Sequence, residues 1–277
     1  MKNDSDFINN YDKLESPFSK SDDELWNEID KQTSEKPKVK IFHLNSFRYA
    51  AAAAVILIMC SALFMRFYTT TISSPKGKHL TEILPDGSTV QLNADTEVKF
   101  NPYWWTFNRK VELFGEAYCD VVDGEKFNIV SKNGITEIVG TTFNIYSREE
   151  DYKVFCESGK VKVKSTKTDI SFLLHPGELA VIDNIKREGN KTDANFVELL
   201  AWKLNRFAFT QAPLKNVFEE LERQYDVKIN LNKNHSRLLY SGNFDKTPTV
   251  ESALNIVCKS FGLNFVKMEN KAYNIVQ

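Results

Sequence analysis

An uninterrupted apolar stretch between Arg48 and Arg66 is the strongest constraint on how this chain can fold. The stretch carries no charge and, as a helix rising about 1.5 Å per residue, covers roughly 25 Å, close to the hydrocarbon core of a bilayer. Phe67 and Tyr68, which follow it, are residue types found at membrane interfaces. A buried core helix is the alternative, but polar residues would more often interrupt such a helix. The sequence therefore predicts one transmembrane helix over residues 46–68.

The position of this stretch indicates an uncleaved anchor. A secretory signal has its apolar core within about the first 30 residues, whereas this one starts near residue 49. Lipid attachment at Cys60 would need a small preceding residue, and Met59 is not small. Basic residues are slightly more numerous just before the stretch than just after it, which favours an N-terminus inside the cell. We therefore expect residues 1–45 in the cytoplasm and the part of the chain that follows the helix on the other side of the membrane.

Composition excludes several classes of function. The formal net charge is −1 over 277 residues, without a basic cluster, which argues against nucleic acid as a partner. The four cysteines include no C-x-x-C pair, so zinc or redox motifs are not indicated. Cys119 and Cys156 lie in strand-like runs and could form a disulfide bond, although an apolar core role is favoured.

Residues 1–45 contain one recognisable element, a helix that begins after Ser21. Acidic residues at positions 22–24 suit a helix N-terminus. Leu25, Trp26 and Ile29 form an apolar stripe at helical spacing. The stripe is too short to form a core by itself, so it either packs on a partner or remains a loosely ordered amphipathic helix.

The remainder of the chain divides into two predicted domains. Residues 69–78 have linker composition, and residues 79–185 alternate with period two in short runs, with Gly at the joints. This pattern predicts an all-β domain, either a sandwich or a short solenoid. After a second linker at 186–201, residues 202–277 show strand, helix and strand twice over. We expect a compact α+β domain with duplicated βαβ units.

Residues that could support catalysis or ligand binding have structural explanations as well. The four histidines are scattered, and no phosphate loop, nucleophile elbow or calcium loop occurs, so no enzyme activity, cofactor or metal is expected. Three acids could act in sugar hydrolysis or simply lie on the wet face of strands: Asp95, Glu97 and Glu112. Trp104 and Trp105 could stack on a sugar, but we expect one ring to close the β core.

Four short motifs carry a resemblance to a known family. They are L-P-D-G-S at Leu84–Ser88, G-E-A-Y at Gly115–Tyr118, V-G-T-x-F at Val139–Phe143 and P-G-E at Pro176–Glu178. In this order, within about Leu80 to Asp183, the sequence closely resembles the FecR family of membrane-anchored sigma-factor regulators. The part from about Trp202 is similar to the C-terminal domain of Bacteroidetes-type members, which is itself similar to the short signalling modules of secretins and TonB-dependent receptors.

The resemblance implies a signalling role across the inner membrane. The N-terminal segment would hold an extracytoplasmic-function sigma factor in the cytoplasm. The periplasmic part would receive a signal from the signalling domain of an outer-membrane TonB-dependent transporter, and regulatory proteases would then free the sigma factor to transcribe uptake genes. Because duplicated βαβ modules expose sheet edges that accept a partner strand, we expect residues 202–277 to dock the transporter.

The N-terminal segment, at about 45 residues, is shorter than is common in the family. Sigma binding would therefore rest on Leu25, Trp26 and Ile29 or would be weak, and a start codon placed downstream of the true one would also explain the short segment. An alternative function is that of an anchored periplasmic adaptor or carbohydrate-binding module without sigma control. An anchored envelope hydrolase is a third class, and no motif supports it.

The bond between Gly140 and Thr141 is a further candidate site. In some relatives a matching Gly-Thr bond is broken by the protein itself, because the Thr hydroxyl attacks the preceding carbonyl and water opens the resulting ester. The chemistry needs a strained turn and a base, for which Glu137 and Asp151 are candidates only by proximity in sequence. The alternative is a glycine turn that leads into a core strand, and we expect the chain to stay intact.

Overall fold

The computed structural model describes residues 20–34, 44–194 and 196–277. Its α-helices are α1 (Asp22–Ser34), α2 (Leu44–Phe67), α3 (Phe196–Leu199), α4 (Leu214–Tyr225) and α5 (Val250–Lys259), with a 3₁₀-helix at Ala201–Leu204. The strands up to residue 193 are β1 (Thr70–Ser74), β2 (Leu80–Ile83), β3 (Thr89–Leu92), β4 (Thr96–Phe100), β5 (Arg109–Asp120), β6 (Phe127–Val130), β7 (Gly134–Ile138), β8 (Thr142–Arg148), β9 (Asp151–Ser158), β10 (Val161–Ser165), β11 (Ser171–Leu174), β12 (Glu178–Asp183) and β13 (Glu188–Asp193). The remaining strands are β14 (Arg206–Pro213), β15 (Lys228–Asn230), β16 (Leu239–Asp245), β17 (Asn264–Lys267) and β18 (Ala272–Val276).

Helix α1 begins where the acidic cluster predicts. The Ser21 carbonyl accepts hydrogen bonds from the amides of Glu24 and Leu25, and the Ser21 amide donates to the Glu24 carboxylate at 3.3 Å. This reciprocal arrangement pairs groups that a helix N-terminus otherwise leaves without partners. The helix predicted after Ser21 is confirmed.

Helix α2 contains the apolar stretch. The segment Phe47–Phe67 has a mean hydropathy of 2.1 and is wholly unburied, and it is the one helix of the described residues that is long and apolar enough to cross a membrane. A single-pass membrane protein fits this feature.

The β domain consists of two sheets that share strand β5. One sheet runs β1-β4-β5-β6-β7-β10-β11 and the other runs β2-β3-β5-β8-β9-β12-β13. Phe114 of β5 pairs with Glu97 in the first sheet, whereas the next residue, Gly115, pairs with Ser147 in the second. Gly115 has φ +111°, which L-residues rarely adopt, so glycine permits the strand to change sheets here.

A single apolar core lies within this domain. Strand β4 buries alternate residues, as the period-two pattern predicts, and both sheets contribute to one cluster that includes Val98, Phe127, Phe143 and Ile145. Of the two architectures that the sequence allows, the structure has the sandwich.

Both predicted linkers contain a strand. Within residues 69–78, β1 pairs with β4, and within residues 186–201, β13 pairs with β12. Every residue of β13 is exposed, so no apolar alternation marks it in the sequence. Strand β13 is therefore held by backbone hydrogen bonds to β12 rather than by burial of its own side chains, whereas β1 also packs Ile72 against the core.

The C-terminal domain has the predicted order strand–helix–strand, twice. Strands β14 and β16 form a two-stranded sheet, and β15, β18 and β17 form a second sheet. The first strands of the two units therefore pair with each other, and β15 pairs with β18 rather than with β14. Helices α4 and α5 bury their apolar stripes in one cluster with these sheets.

Cys119 and Cys156 are free and fully buried. Phe143 pairs with Cys119 on one side and Cys156 on the other. The two cysteines are thus two strand spacings apart, roughly 10 Å, beyond the Cα separation of about 7 Å that a disulfide tolerates. The core role predicted for them is confirmed.

Candidate functional site

A chain of buried polar side chains joins the β domain to the C-terminal domain. Gln224 at the end of α4 donates from Nε2 to Asn93 Oδ1 at 2.7 Å. Asn93 Nδ2 donates to Glu116 Oε2 at 2.8 Å, and Asn144 Nδ2 donates to Glu116 Oε1 at 2.9 Å. Asn93, Glu116, Asn144 and Gln224 are all buried. We call this chain, with the residues added below, the polar joint.

Two aromatic groups complete the polar joint. Trp202, in the 3₁₀-helix before the C-terminal domain, is buried and donates from Nε1 to Asn144 Oδ1 at 3.4 Å. His79, just before β2, lies edge-on to the Trp202 ring at 5.3 Å between centroids, and its Nε2 is 3.0 Å from Gln224 Oε1. The six residues therefore form a closed path between the two domains.

Glu116 is the ionisable group at the centre of the polar joint. Burial raises the pKa of its carboxyl above the ordinary value near 4.5, and the nearby Glu220 carboxylate raises it further. The hydrogen bonds from Asn144 and Asn93 act in the opposite direction without cancelling these effects. The joint thus holds a carboxyl group whose ionised form burial disfavours.

Comparison with known proteins identifies the two domains. The FecR protein family model matches residues 70–162, and the model for the FecR C-terminal domain matches residues 206–275. The chain belongs to the FecR family. No curated protein matches the sequence.

Two solved structures are similar to this FecR chain, each of a candidate anti-sigma factor from Parabacteroides distasonis ATCC 8503. One, at 2.50 Å resolution, is 27% identical and has a TM-score of 0.70, with 76% of this chain and 99% of that chain covered. The other, at 1.65 Å resolution, is 28% identical and has a TM-score of 0.69, with coverage of 75% and 99%. Both resemblances point to a regulatory protein rather than a catalytic one.

The FecR motifs coincide with turns and with the polar joint. G-E-A-Y supplies Gly115, where β5 changes sheets, and Glu116, the centre of the joint. L-P-D-G-S supplies Asp86 in the β2–β3 turn, which accepts a hydrogen bond from Nε of Arg109, at the start of β5, at 2.8 Å. P-G-E supplies Glu178, which accepts from Lys191 Nζ at 2.8 Å.

The predicted sigma-binding residues lie on one side of α1. Trp26 is 70% exposed and Ile29 is 47% exposed, while Leu25 is partly buried. Positions three and four apart are neighbours on a helix surface, so these side chains form one apolar patch. The FecR chain therefore presents large apolar groups that its own described residues leave uncovered.

The Gly140–Thr141 bond lies in a tight turn between β7 and β8. Gly140 has φ +57°, and the Asp123 carboxylate occupies the space that a Cβ at residue 140 would need. Thr141 is buried, and its hydroxyl has no hydrogen-bond partner among the described residues. The structure therefore brings Asp123, which sequence reasoning did not select, close to this bond.

The two bases suggested by sequence proximity lie elsewhere. Glu137 forms an ion pair with Lys126 at 2.9 Å, and its hydrogen bond to that ammonium lowers the pKa of Glu137. In the antiparallel ladder of β8 and β9, Asp151 lies opposite Arg148. Arg148 is at the other end of β8 from Thr142, so Asp151 is roughly 20 Å along the strand from Thr142. Neither carboxylate is hydrogen-bonded to the Thr141 hydroxyl. That the chain stays intact remains a prediction.

Three of the remaining candidate ligand groups have partners within the β domain. Glu97 and Glu112 each pair with a lysine on exposed strand faces, at 3.0 and 2.8 Å. Trp105 is buried against Phe100 and Phe127, so one tryptophan closes the β core as expected. Within residues 20–34, 44–194 and 196–277, no three His, Cys, Asp or Glu side chains come together as a metal site requires.

Sequence reasoning missed most of the polar joint, although a signal exists for Gln224. On α4 the buried positions are Leu214, Val217, Phe218, Leu221 and Gln224, so one amide occupies the apolar stripe. A polar residue at a stripe position needs a buried partner. Its partner, Asn93, is 131 residues away, and no local pattern identifies it.

Proposed function

We propose that this FecR-family protein is a single-pass inner-membrane anti-sigma factor with its N-terminus in the cytoplasm and its C-terminus in the periplasm. The observation that carries the proposal is the order of parts along one chain. An uncovered apolar patch on α1 is followed by a membrane-length helix, a FecR domain and a FecR C-terminal domain. The likeness to candidate anti-sigma factors supports the same role.

The partner on the cytoplasmic side is an extracytoplasmic-function sigma factor. Leu25, Trp26 and Ile29 bind it, because exposed Trp and large aliphatic groups in one patch are typical of interface hot spots. The partner on the periplasmic side is the signalling domain of a TonB-dependent transporter, which docks on the C-terminal domain. Regulatory proteases then release the sigma factor.

Retrieval of the sigma factor from membranes tests this function. The full-length chain, purified in detergent from cells of its host, should bring down one extracytoplasmic-function sigma factor. A chain that lacks residues 20–34 should not. If the full-length chain brings down no sigma factor, the function of an envelope adaptor is favoured instead.

Reporter fusions test the proposed topology independently. Alkaline phosphatase is active only outside the cytoplasm, so it should be active when fused after residue 277 and inactive when fused after residue 45. The reverse result would place the N-terminus outside and would exclude a cytoplasmic sigma partner.

A further inference from the structure

The connection between β4 and β5 lies at the C-terminal end of the apolar helix α2. Strand β1 begins at Thr70, three residues after α2 ends, and Thr70 pairs with Phe100, the last residue of β4. Antiparallel pairing therefore brings the end of β4 beside the end of the helix. Residues 101–108, which follow β4, must turn at this level, and we call them the aromatic loop.

Direct contacts fix the aromatic loop to the last turn of the helix. Asn101 Nδ2 donates to the carbonyls of Met65 at 2.8 Å and Arg66 at 3.0 Å. These carbonyls belong to the last turn, where a helix leaves its acceptors without intrahelical partners. The Asn101 side chain thus caps α2 with a group from the β domain.

Ring contacts place the loop at the depth of the apolar span. The Tyr103 ring lies 6.4 Å from that of Phe64, inside the span, and 5.2 Å from that of Tyr68, just beyond it. The Arg66 guanidinium lies 5.5 Å from the Trp104 ring. The loop therefore sits beside the last turn of the span rather than away from it.

The outer face of the aromatic loop is apolar and uncovered. Phe107 is 73% exposed and Tyr103 is 55% exposed, and the Phe107 ring packs on Trp104 at 4.7 Å. Trp105, by contrast, points into the β core. Folding of the β domain does not require Phe107 or Tyr103 to be large or aromatic.

We propose that the aromatic loop lies in the interfacial layer of the bilayer, with Tyr103, Trp104 and Phe107 in contact with lipid. Trp and Tyr favour this layer because an apolar ring carries a polar group, and Phe107 adds apolar area beside them. The Arg66 guanidinium, 5.6 Å from the Phe67 ring and 5.5 Å from the Trp104 ring, then lies where lipid phosphates are found. The β domain is thereby fixed in orientation on the membrane surface. This inference rests on the proposed membrane anchor.

Site-directed spin labelling of the full chain tests the inference. A nitroxide at Phe107→Cys, in a Cys60→Ala background, would be measured in vesicles of phosphatidylethanolamine and phosphatidylglycerol. Cys119, Cys156 and Cys258 are buried and leave the introduced cysteine as the reactive one. Accessibility to oxygen, which concentrates in lipid, is compared with accessibility to a water-soluble nickel chelate.

Two control positions calibrate the result. Ile185→Cys is the matched aqueous control, because Ile185 is an apolar turn residue with 76% exposure. Its neighbour Asn184 donates to the Asn133 carbonyl, which lies in the turn at the end of β6. The other end of β6, its start, pairs with Arg109 beside the aromatic loop. Ile185 is therefore at the far end of the domain. Ile58→Cys, within the helix, reports whether the anchor is in lipid.

The expected result is an oxygen-to-nickel accessibility ratio at position 107 several-fold above that at position 185 and nearer that at position 58. Equal ratios at 107 and 185, with position 58 in lipid, would overturn the inference and leave the anchor intact. An aqueous ratio at position 58 would overturn the proposed anchor and the inference together.

Discussion

At the scale of single residues, Gln224 brings helix α4 into the polar joint. Its amide reaches His79 and Asn93 of the joint and Glu220 of its own helix. Gln224→Ala removes these bonds within a buried site, so we expect the free energy of unfolding to fall by about 1–3 kcal/mol. Asn216→Ala, an exposed amide on the same helix, should change it by less than about 0.5 kcal/mol. Urea unfolding of residues 69–277 measures both, and equal losses would contradict the role of the joint.

Glu116 makes the stability of the joint dependent on pH. Because burial raises its folded-state pKa, its contribution to stability is complete below the ordinary value near 4.5 and is lost as pH rises through the raised pKa. Glu116→Gln has no carboxyl group to ionise. We expect the variant to gain stability relative to the natural chain between pH 4 and pH 8, measured by urea unfolding at each pH. A difference that is constant across this range would show that folding does not raise the pKa of Glu116.

Residue-level prediction from the sequence succeeded where a local pattern exists. Burial of one ring of the pair Trp104 and Trp105 was expected without a choice between them, and burial of the two cysteines followed from their strand-like runs. The polar joint could not be predicted as a site, because hydrogen bonds such as that between Gln224 and Asn93 join distant parts of the chain. The G-E-A-Y motif marked Glu116 as a family feature without indicating what it contacts.

At the scale of elements, strand β5 determines the shape of the β domain. A Cβ at Gly115 would lie 2.5 Å from Thr96 Oγ1 and 2.8 Å from Thr96 Cα, in addition to the strain at φ +111°. We therefore expect Gly115→Ala to reduce the free energy of unfolding by about 3 kcal/mol or more. Thermal unfolding of residues 69–277 would measure the loss.

Gly87 provides the matched control for this substitution. It also has a positive φ, +86°, but no atom lies within 4 Å of the space that a Cβ would occupy. Gly87→Ala should therefore cost only backbone strain, about 1–2 kcal/mol. An equal loss of free energy of unfolding in the two variants would show that close packing against Thr96 is not the reason for glycine at position 115.

Element prediction failed for strands that bury little. Strands such as β3 and β4 alternate fully buried residues with less buried ones, and the sequence predicts them. Strand β13 is exposed throughout, and in β1 only Ser74 is fully buried. From the sequence, both segments were therefore predicted to be linkers. Their formation depends on pairing with β12 and β4, which local composition does not encode.

At the scale of the whole molecule, we expect the C-terminal domain to receive the signal. Trp202 packs against the β domain, so a deletion should start at Arg206, where the C-terminal family match begins. Removal of residues 206–277 should abolish induction of the regulated genes, measured by a transcriptional reporter, with the anchor and β domain still present in the membrane. Induction that persists would assign reception to the β domain instead.

Transcription in the absence of signal tests most directly whether the apolar patch on α1 holds a sigma factor inactive. Trp26→Ala removes the largest exposed group of the patch, and a hot-spot Trp typically contributes about 2 kcal/mol or more to binding, roughly thirty-fold in affinity. Asn27→Ala, on the opposite side of α1, is the matched control. We expect Trp26→Ala to raise transcription of the regulated genes without signal and Asn27→Ala to leave it unchanged. Unchanged repression by Trp26→Ala, with normal protein in the membrane, would contradict a sigma-holding role of the patch.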